Sequence, residues 1–416
     1  MFGDGVSNEG NLFTPFDWGA SAYLLPLLIC LSRNGVGDFA NRGRAITARE
    51  LWGDLDADFN DSIWNYDGYA FKTQTNDMTR EKIFKSRTDI WRWNISLIGV
   101  LAFGAFFWSN VDAVSLEKYP ELTELASELD GNLGLRKEKI ESWFEDAEIK
   151  TKIIDAMNRP AERLDWHRYR SLFVNTASVE GGVKFLKENA AVLGEAEARY
   201  GIPAEIIVAI IGVETRYGKV LGNLRVLDSL VTLSVEYPRR SKFFSSQLAH
   251  FLKLTAEEGL DPTVVKGSYA GAMGIPQFMP SSYRDYAVDF DGDGRADLLN
   301  SVADAIGSVA NYLSRFGWKA GTPIMVRISQ PPSEIENLVT RKLAANTTIS
   351  EVRELEIEIF GPDDDKVGVM KFDGKSGPDY RIGHHNFFVI TRYNRSQNYA
   401  MSVYELAEKI AAASSN

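Results

Sequence analysis

One glutamate stands at the end of an apolar stretch that is typical of a buried helix. Residues 204–213 are apolar apart from one acidic residue in the first turn, and Glu214 follows them directly. A proline precedes the stretch and a glycine follows it, as at many helix ends. Apolar neighbours and the negative end of the helix dipole both raise the pKa of a carboxyl, so the pattern predicts a proton donor near neutral pH. A salt bridge to Arg216 or Lys219 is the structural alternative.

A second stretch combines glycines, hydroxyls, an amide and aromatic rings. Within residues 266–283, glycines allow the backbone to approach a ligand closely, and Ser268 and Gln277 can hydrogen-bond amides and hydroxyls. Aromatic and amide side chains recur together in residues 387–399. Because sugars stack on aromatic faces and form many neutral hydrogen bonds, these residue types beside a buried glutamate indicate a saccharide cleft. A tyrosine packed in a core is the alternative for each ring.

Residues 289–300 match the front of an EF-hand calcium loop. Carboxylates at positions 1, 3 and 5 of such a loop converge on one point, and glycine at position 6 permits its sharp turn. Position 7 supplies a backbone carbonyl, and position 12, usually a bidentate glutamate, is asparagine here, which lowers the expected affinity. The predicted calcium ligands are Asp289, Asp291, Asp293, Arg295 and Asn300. A polar turn without a metal is the alternative.

The composition excludes several other classes of protein. Of the 416 residues, 44% are hydrophobic and 25% are charged, as in ordinary globular proteins. A net charge of −11 argues against general nucleic-acid binding, which needs a basic surface. The single cysteine, Cys30, excludes an intrachain disulfide, and the four histidines form no His-Glu-x-x-His zinc motif.

Helices must position most of the candidate residues. Apolar side chains recur every three or four positions in residues 115–200, and helical patterns continue to about Phe316. The period then changes to two, and strands are predicted at residues 324–328, 354–360 and 387–393. Residues 402–413 return to a helical pattern. The chain is therefore predicted to be α+β and mainly α, with a small sheet inserted late.

The N-terminal part has a different character. Residues 1–77 are acidic, rich in Gly, Asn and Asp, and without a sustained apolar period, so we expect a poorly ordered extension or a misassigned start before Met78. A basic flank then precedes the largely apolar residues 95–108 and small residues near Ala113. As a helix this run spans about 21 Å, less than a hydrocarbon core of about 30 Å. Residues 78–113 are predicted to be a signal peptide or signal anchor, with a buried helix as the alternative.

Several long motifs resemble one enzyme family. They lie at residues 212–218, 237–240, 267–274, 277–283, 304–312 and 391–401. In this order they resemble the membrane-bound lytic transglycosylase B family over about residues 116–412. The resemblance implies a lysozyme-like helical catalytic core, a helical domain and a small inserted β-sheet domain. The implied division is a helical domain at 114–200, the core at 201–320, the β domain at 321–388, and a return segment with a C-terminal helix at 389–416.

The resemblance also implies an activity and roles for residues. The activity is cleavage of the MurNAc–GlcNAc β-1,4 bond of peptidoglycan to give 1,6-anhydro-MurNAc ends, without a catalytic cofactor and with a structural Ca²⁺ as a candidate. Glu214 matches the family's single catalytic acid and base. Positions that match the substrate cleft are Tyr169, Arg239, Arg240, Ser268, Gln277, Tyr312, Tyr393, Asn394 and Tyr399. Phe243 stands where a relative has tyrosine, and no lipobox cysteine is found.

The expected partner is a peptidoglycan strand with stem peptides, in the periplasm. Cell-wall synthesis or hydrolysis complexes are candidate protein partners, and we expect a monomer that binds no nucleic acid. Two other functions fit the same residues. A hydrolytic muramidase needs a second carboxylate, which Asp228, Glu236 or Asp285 could supply. A non-catalytic peptidoglycan-binding protein needs no reactive carboxyl.

Overall fold

The computed structural model describes residues 114–340 and 343–415, most of which are helical. The predicted extension at residues 1–77 and the predicted signal at 78–113 lie outside the described residues. The first helices are α1 (Pro120–Leu129), α2 (Lys137–Asp146), α3 (Thr151–Asn158), α4 (Trp166–Phe173), α5 (Thr176–Glu188) and α6 (Ala190–Tyr200). Among the described helices, none combines the length and the apolarity that crossing a membrane requires.

A central group of helices carries the candidate glutamate and the segments around it. It comprises α7 (Ala204–Thr215), α8 (Val226–Glu236), α9 (Ser241–Glu257), α10 (Pro280–Tyr286) and α11 (Val302–Arg315). Two short strands, β1 (Leu224–Arg225) and β2 (Lys266–Gly267), pair antiparallel between these helices. Helix α7 is buried from Ile206 to Thr215, because its apolar residues cover its whole circumference.

The last third of the chain contains the sheet and two closing helices. The elements are β3 (Met325–Arg327), β4 (Thr347–Thr348), α12 (Ile349–Arg353), β5 (Lys366–Gly374), β6 (Gly377–Gly383), α13 (His385–Tyr393) and α14 (Gln397–Ser414). The strands form an antiparallel sheet in the order β3-β6-β5-β4, with Val369 opposite Ile382. The prediction of a mainly helical α+β chain is confirmed.

The sheet has its own small core and also packs on the helices. Because side chains alternate along a strand, Val367 and Val369 of β5 belong to the small core, whereas Met370 and Phe372 belong to the large helical core. The ring of Phe372 lies 5.3 Å from that of Trp166 on α4. The sheet is therefore packed on the helix that carries Tyr169.

Two of the three strand predictions are wrong. Residues 387–393 belong to α13, since a short buried apolar run fits a helix as well as a strand. Residues 354–360 form a turn and an irregular segment, in which Glu356 has a φ of +58°. Arg353 donates hydrogen bonds to the carbonyls of Ile359 and Gly361, which hold this segment as a loop. The predicted strand at 324–328 is confirmed as β3, and the helix at 402–413 is part of α14.

Candidate active site

Glu214 occupies the last turn of α7, and the residue is 1% exposed. The hydroxyl of Tyr399, on α14, donates a hydrogen bond of 2.7 Å to Glu214 Oε1. Arg216 and Lys219, the cations next to it in sequence, are both exposed. The carboxyl therefore lies inside the helical core, beside a hydroxyl donor from a distant part of the chain.

The chain turns sharply directly after this glutamate. Arg216 and Tyr217 both adopt left-handed backbone, with φ of +51° and +63°, and Gly218 follows with φ of +80°. Thr215 Oγ1 accepts a hydrogen bond from the Gly218 amide and donates one of 2.8 Å to the carbonyl of Ile275. These bonds connect the end of α7 to residues 266–283, the glycine-rich segment that the sequence predicts to bind sugar.

The glycine-rich segment is built around Ser268 and Gln277. Ser268 Oγ accepts hydrogen bonds from the amides of Ala270 and Ala272. The Gln277 amide nitrogen donates to the carbonyls of Leu221 and Gly274. Its Oε1 is buried and has no partner within the described residues. Because a buried polar atom needs a hydrogen bond, this oxygen is suited to accept one from a ligand.

A row of aromatic rings continues from Tyr399. The rings of Tyr399 and Tyr393 are stacked, with centroids 6.3 Å apart, and Tyr393 contacts Tyr312 at 5.0 Å. Tyr393 donates a hydrogen bond to the carbonyl of Pro276, and Tyr312 donates one to the carbonyl of Arg392. These bonds fix the rings beside the glycine-rich segment, although the residues lie far apart in sequence.

The three tyrosines remain neutral at physiological pH. Burial raises the pKa of Tyr399 well above its ordinary value, and the nearby Glu214 raises it further. Burial and then Glu214 likewise raise the pKa of Tyr393. For Tyr312, burial raises the pKa and neighbouring Tyr286 adds to the effect. Each hydroxyl can therefore donate a hydrogen bond.

The remaining predicted cleft residues differ in their burial and contacts. Tyr169, on α4, is fully buried, and its ring lies 5.1 Å from that of Phe173. Asn394 is a buried residue at the end of α13. The Arg240 guanidinium lies over the ring of Phe243, 4.4 Å from its centroid, whereas Arg239 is exposed.

Two of the candidate second carboxylates have other partners. Asp228 is bound by Arg225 at 2.8 Å and by Lys150 at 3.3 Å. The Tyr119 hydroxyl donates to Glu236, and this hydrogen bond lowers the pKa of Glu236 below its usual value. These contacts favour structural roles for both carboxylates.

The third candidate, Asp285, is exposed on α10. A general base for hydrolysis must hold a water against the sugar, close to the acid. Asp285 instead lies beside the charged side chain of Arg284.

The calcium-type loop brings three carboxylates together. Ligand oxygens of Asp289, Asp291 and Asp293 lie within 4.8 Å of one another, and all three residues are exposed. The Asn300 amide nitrogen instead donates a hydrogen bond to Asp297. Oxygen donors at this spacing fit a hard cation such as Ca²⁺.

One buried carboxylate holds the backbone of this loop. Asp304, on α11, accepts hydrogen bonds from the amides of Phe290, Asp291 and Asp297. The Leu298 carbonyl then accepts a hydrogen bond of 2.9 Å from the Ile275 amide. The loop is thus connected to the segment that carries Gln277.

Sequence reasoning missed three residues that shape this site. Thr215 and Tyr217 lie within the motif around Glu214, but the motif alone indicates no role for either. Phe278 packs against Tyr312 and Tyr393, with centroids at 5.5 and 5.7 Å. The available signal was their position in the sequence. Thr215 and Tyr217 lie within three positions of Glu214, and Phe278 directly follows Gln277.

Comparison with known proteins identifies relatives of both the sequence and the fold. A family model described as the transglycosylase SLT domain matches residues 118–408. Membrane-bound lytic murein transglycosylase B of Escherichia coli K12 is 44% identical over 250 residues, which are 60% of this chain and 68% of that protein.

Two solved structures share the fold over most of their length. Soluble lytic transglycosylase SltB1 from Pseudomonas aeruginosa is 45% identical with a TM-score of 0.67, covering 71% of this chain and 100% of that one. Escherichia coli lytic transglycosylase Slt35, solved in complex with calcium, is 37% identical with a TM-score of 0.65, covering 71% and 94%. The resemblance seen in the motifs is confirmed, and the chain belongs to the lytic transglycosylase family defined by the SLT domain.

Proposed function

We propose that this chain cleaves the MurNAc–GlcNAc bond of peptidoglycan with a single carboxyl, Glu214, acting as acid and then as base. As a member of its family the chain is a lytic transglycosylase, an enzyme of peptidoglycan. The observation that carries the proposal is the burial of Glu214 at the end of α7 beside the neutral hydroxyl of Tyr399. Because peptidoglycan lies in the cell envelope, the proposed location of the protein is the periplasm.

The first step is protonation of the leaving oxygen. Glu214 donates its proton to the glycosidic oxygen, and the bond to C1 of MurNAc breaks. The N-acetyl group of the same sugar stabilises the resulting cationic centre. In this proposal the Ser268 hydroxyl orients that group, which is supported by the hydrogen bond between its segment and Thr215 next to Glu214. The Tyr399 hydrogen bond stabilises the carboxylate that remains after the proton has left.

The second step closes the sugar on itself. The Glu214 carboxylate takes the proton from the MurNAc 6-hydroxyl, whose oxygen attacks C1 and forms the 1,6-anhydro ring. The carboxyl regains its proton, and no water is consumed. One group can serve in both directions when its surroundings tune its proton affinity. This route needs no second carboxylate, in keeping with the other partners of Asp228 and Glu236.

The surrounding residues supply the binding contacts in this proposal. The buried Gln277 Oε1 accepts a hydrogen bond from a sugar hydroxyl or amide, and the tyrosine row orders the cleft. The proposed substrate-binding set is Tyr169, Arg239, Arg240, Ser268, Gln277, Tyr312, Tyr393, Asn394 and Tyr399. The substrate is a glycan strand that bears stem peptides.

We further propose that residues 289–300 bind a structural Ca²⁺. Asp289, Asp291 and Asp293 supply the carboxylate ligands and Arg295 a backbone carbonyl, and Asn300 at position 12 weakens the site. The ion takes no part in bond cleavage. Its effect is to stabilise a loop that contacts the Gln277 segment.

The test compares Glu214→Gln with the matched variant Glu205→Gln, which changes a carboxyl in the first turn of the same helix. Purified sacculi are digested with each full-length protein, and the released muropeptides are analysed by mass spectrometry. We expect 1,6-anhydro products from the wild type and Glu205→Gln, and none from Glu214→Gln. Products heavier by one water would identify a muramidase. Sacculus binding without release by the wild type would identify a binding protein.

A further inference from the structure

Tyr217 fills a junction where three helices meet. A Cβ on Gly181 of α5 would lie 2.7 Å from the Tyr217 ring, and one on Gly212 of α7 would lie 2.7 Å from the same ring. A Cβ on Gly182 would lie 2.8 Å from the Tyr217 hydroxyl and 2.3 Å from Ile410 of α14. The ring is thus accommodated only because glycines line its pocket. We call Tyr217 and its pocket the glycine junction.

The backbone at this position is strained. Tyr217 has a φ of +63°, directly after Arg216 at +51°. The left-handed conformation costs a residue other than glycine about 1–2 kcal/mol. The Tyr217 hydroxyl donates a hydrogen bond of 2.5 Å to the Ser178 carbonyl on α5, and its ring lies 5.6 Å from that of Phe185. These contacts offset the strain and hold the turn.

The junction contacts both elements that define the position of Glu214. The ring packs on Gly212, two residues before Glu214 on α7. Gly182, which the Tyr217 hydroxyl approaches from one side, is also approached by Ile410 of α14, the helix that carries Tyr399. The distance between the end of α7 and α14 determines whether Tyr399 can reach the Glu214 carboxyl.

We propose that Tyr217 is a positioning residue for the transglycosylase reaction, which fixes the Glu214 carboxyl against Tyr399 by wedging α7, α5 and α14 at the glycine junction. The inference rests on the proposed role of Glu214. Tyr217 contacts neither substrate nor reacting atoms in this account, because its hydroxyl is bound to Ser178. It acts through helix packing alone.

Two substitutions separate the packing of the Tyr217 ring from its hydrogen bond and its left-handed backbone. Tyr217→Phe keeps the ring, and we expect its kcat to remain within about threefold of the wild type because only one neutral hydrogen bond is lost. Tyr217→Asn tolerates the left-handed backbone but removes the ring. We expect its kcat on soluble glycan strands to fall about 100-fold, as a misplacement of about 1 Å can cause, with KM little changed.

The control is Leu193→Ala, which opens a cavity at a buried leucine of α6. Leu193 is not one of the residues that define the glycine junction, so the variant should lose stability while its kcat, measured well below its melting temperature, equals that of the wild type. The pH profile of kcat should shift in Tyr217→Asn and stay unchanged in Leu193→Ala. If Tyr217→Asn does not fold, Gly212→Ala tests the same contact from α7, with the same loss of kcat expected.

The outcomes distinguish the two proposals. Suppose that Glu214→Gln is inactive but Tyr217→Asn or Gly212→Ala keeps a kcat within twofold of the wild type. This result would overturn the positioning role of Tyr217 and leave the proposed function intact. Equal losses of kcat in Tyr217→Asn and Leu193→Ala would also overturn the positioning role, because the effect would then be general destabilisation. Wild-type turnover by Glu214→Gln would overturn the proposed function on which the wedge rests.

Discussion

At the scale of single residues, the site depends on one contact between remote parts of the chain. Tyr399 reaches Glu214 across 185 positions of sequence, and burial keeps its hydroxyl protonated as a donor. A hydrogen bond to a charged acceptor is stronger than a bond between neutral groups. The bond is therefore expected to stabilise the negative charge that develops on Glu214 as its proton moves to the leaving oxygen.

The Tyr399→Phe substitution tests this contact. The variant keeps the ring in place, so its stability should fall by only about 1–3 kcal/mol, the typical loss for a buried hydrogen bond. We expect kcat to fall at least about tenfold, since a charge-assisted bond contributes roughly 1.5–3 kcal/mol. Steady-state kinetics on soluble glycan strands measures the effect. An unchanged kcat would show that the bond does not stabilise the reacting carboxylate.

At the scale of elements, the Gln277 segment and the calcium-type loop behave as one unit. The Ile275 amide donates a hydrogen bond to the Leu298 carbonyl, and a Cβ on Gly274 would lie 2.3 Å from that same oxygen. Gly274 also has a φ of +72°. Close backbone contact of this kind requires glycine.

Gly274→Ala therefore should damage both stability and activity. Its control is Gly259→Ala, where φ is +64° but nothing lies within 4 Å of an added Cβ. The control carries only the left-handed penalty of about 1–2 kcal/mol. Gly274→Ala adds a clash with fixed backbone, and we expect a lower melting temperature than the control and a marked loss of kcat/KM. Equal melting temperatures and kinetics in the two variants would contradict this close packing.

The elements also show what the sequence could and could not predict. Helix α7 and its glutamate were predictable, because an unbroken apolar run between proline and glycine is a local signal. The hairpin of β5 and β6 was missed, although Gly374 and Gly377 flank its two-residue turn. The misassigned α13 shows why short apolar runs are ambiguous, since burial favours the same residue types in either structure. The contact of Tyr399 with Glu214 depends on the whole fold, and the sequence did not predict it; the family resemblance indicated only that both residues belong to the cleft.

At the scale of the whole molecule, the loop at residues 289–300 links metal binding to stability. Three exposed carboxylates repel one another until a cation neutralises them. A ligand that binds only the folded state stabilises it in proportion to the logarithm of its concentration. Calcium is therefore expected to stabilise the fold without entering the chemistry.

Thermal unfolding with and without Ca²⁺ measures this effect. At a concentration 100 times the Kd, binding adds about 2.7 kcal/mol. Because the entropy of unfolding grows with chain length, for a domain of about 300 residues this corresponds to a rise in melting temperature of about 4 °C. Asp291→Asn should reduce the shift, and the same concentration of Mg²⁺ should produce little. A melting temperature that does not respond to Ca²⁺ would contradict calcium binding and would identify the loop as a polar turn without a metal.

The central claim is that Glu214 acts alone and that no water enters the product. The most direct measurement is digestion of sacculi by the wild-type protein in water labelled with oxygen-18, followed by mass spectrometry of the released muropeptides. We predict 1,6-anhydro-MurNAc ends that contain no oxygen-18. Reducing ends that carry the label would contradict it, because water would then have attacked C1 and a second group must activate that water.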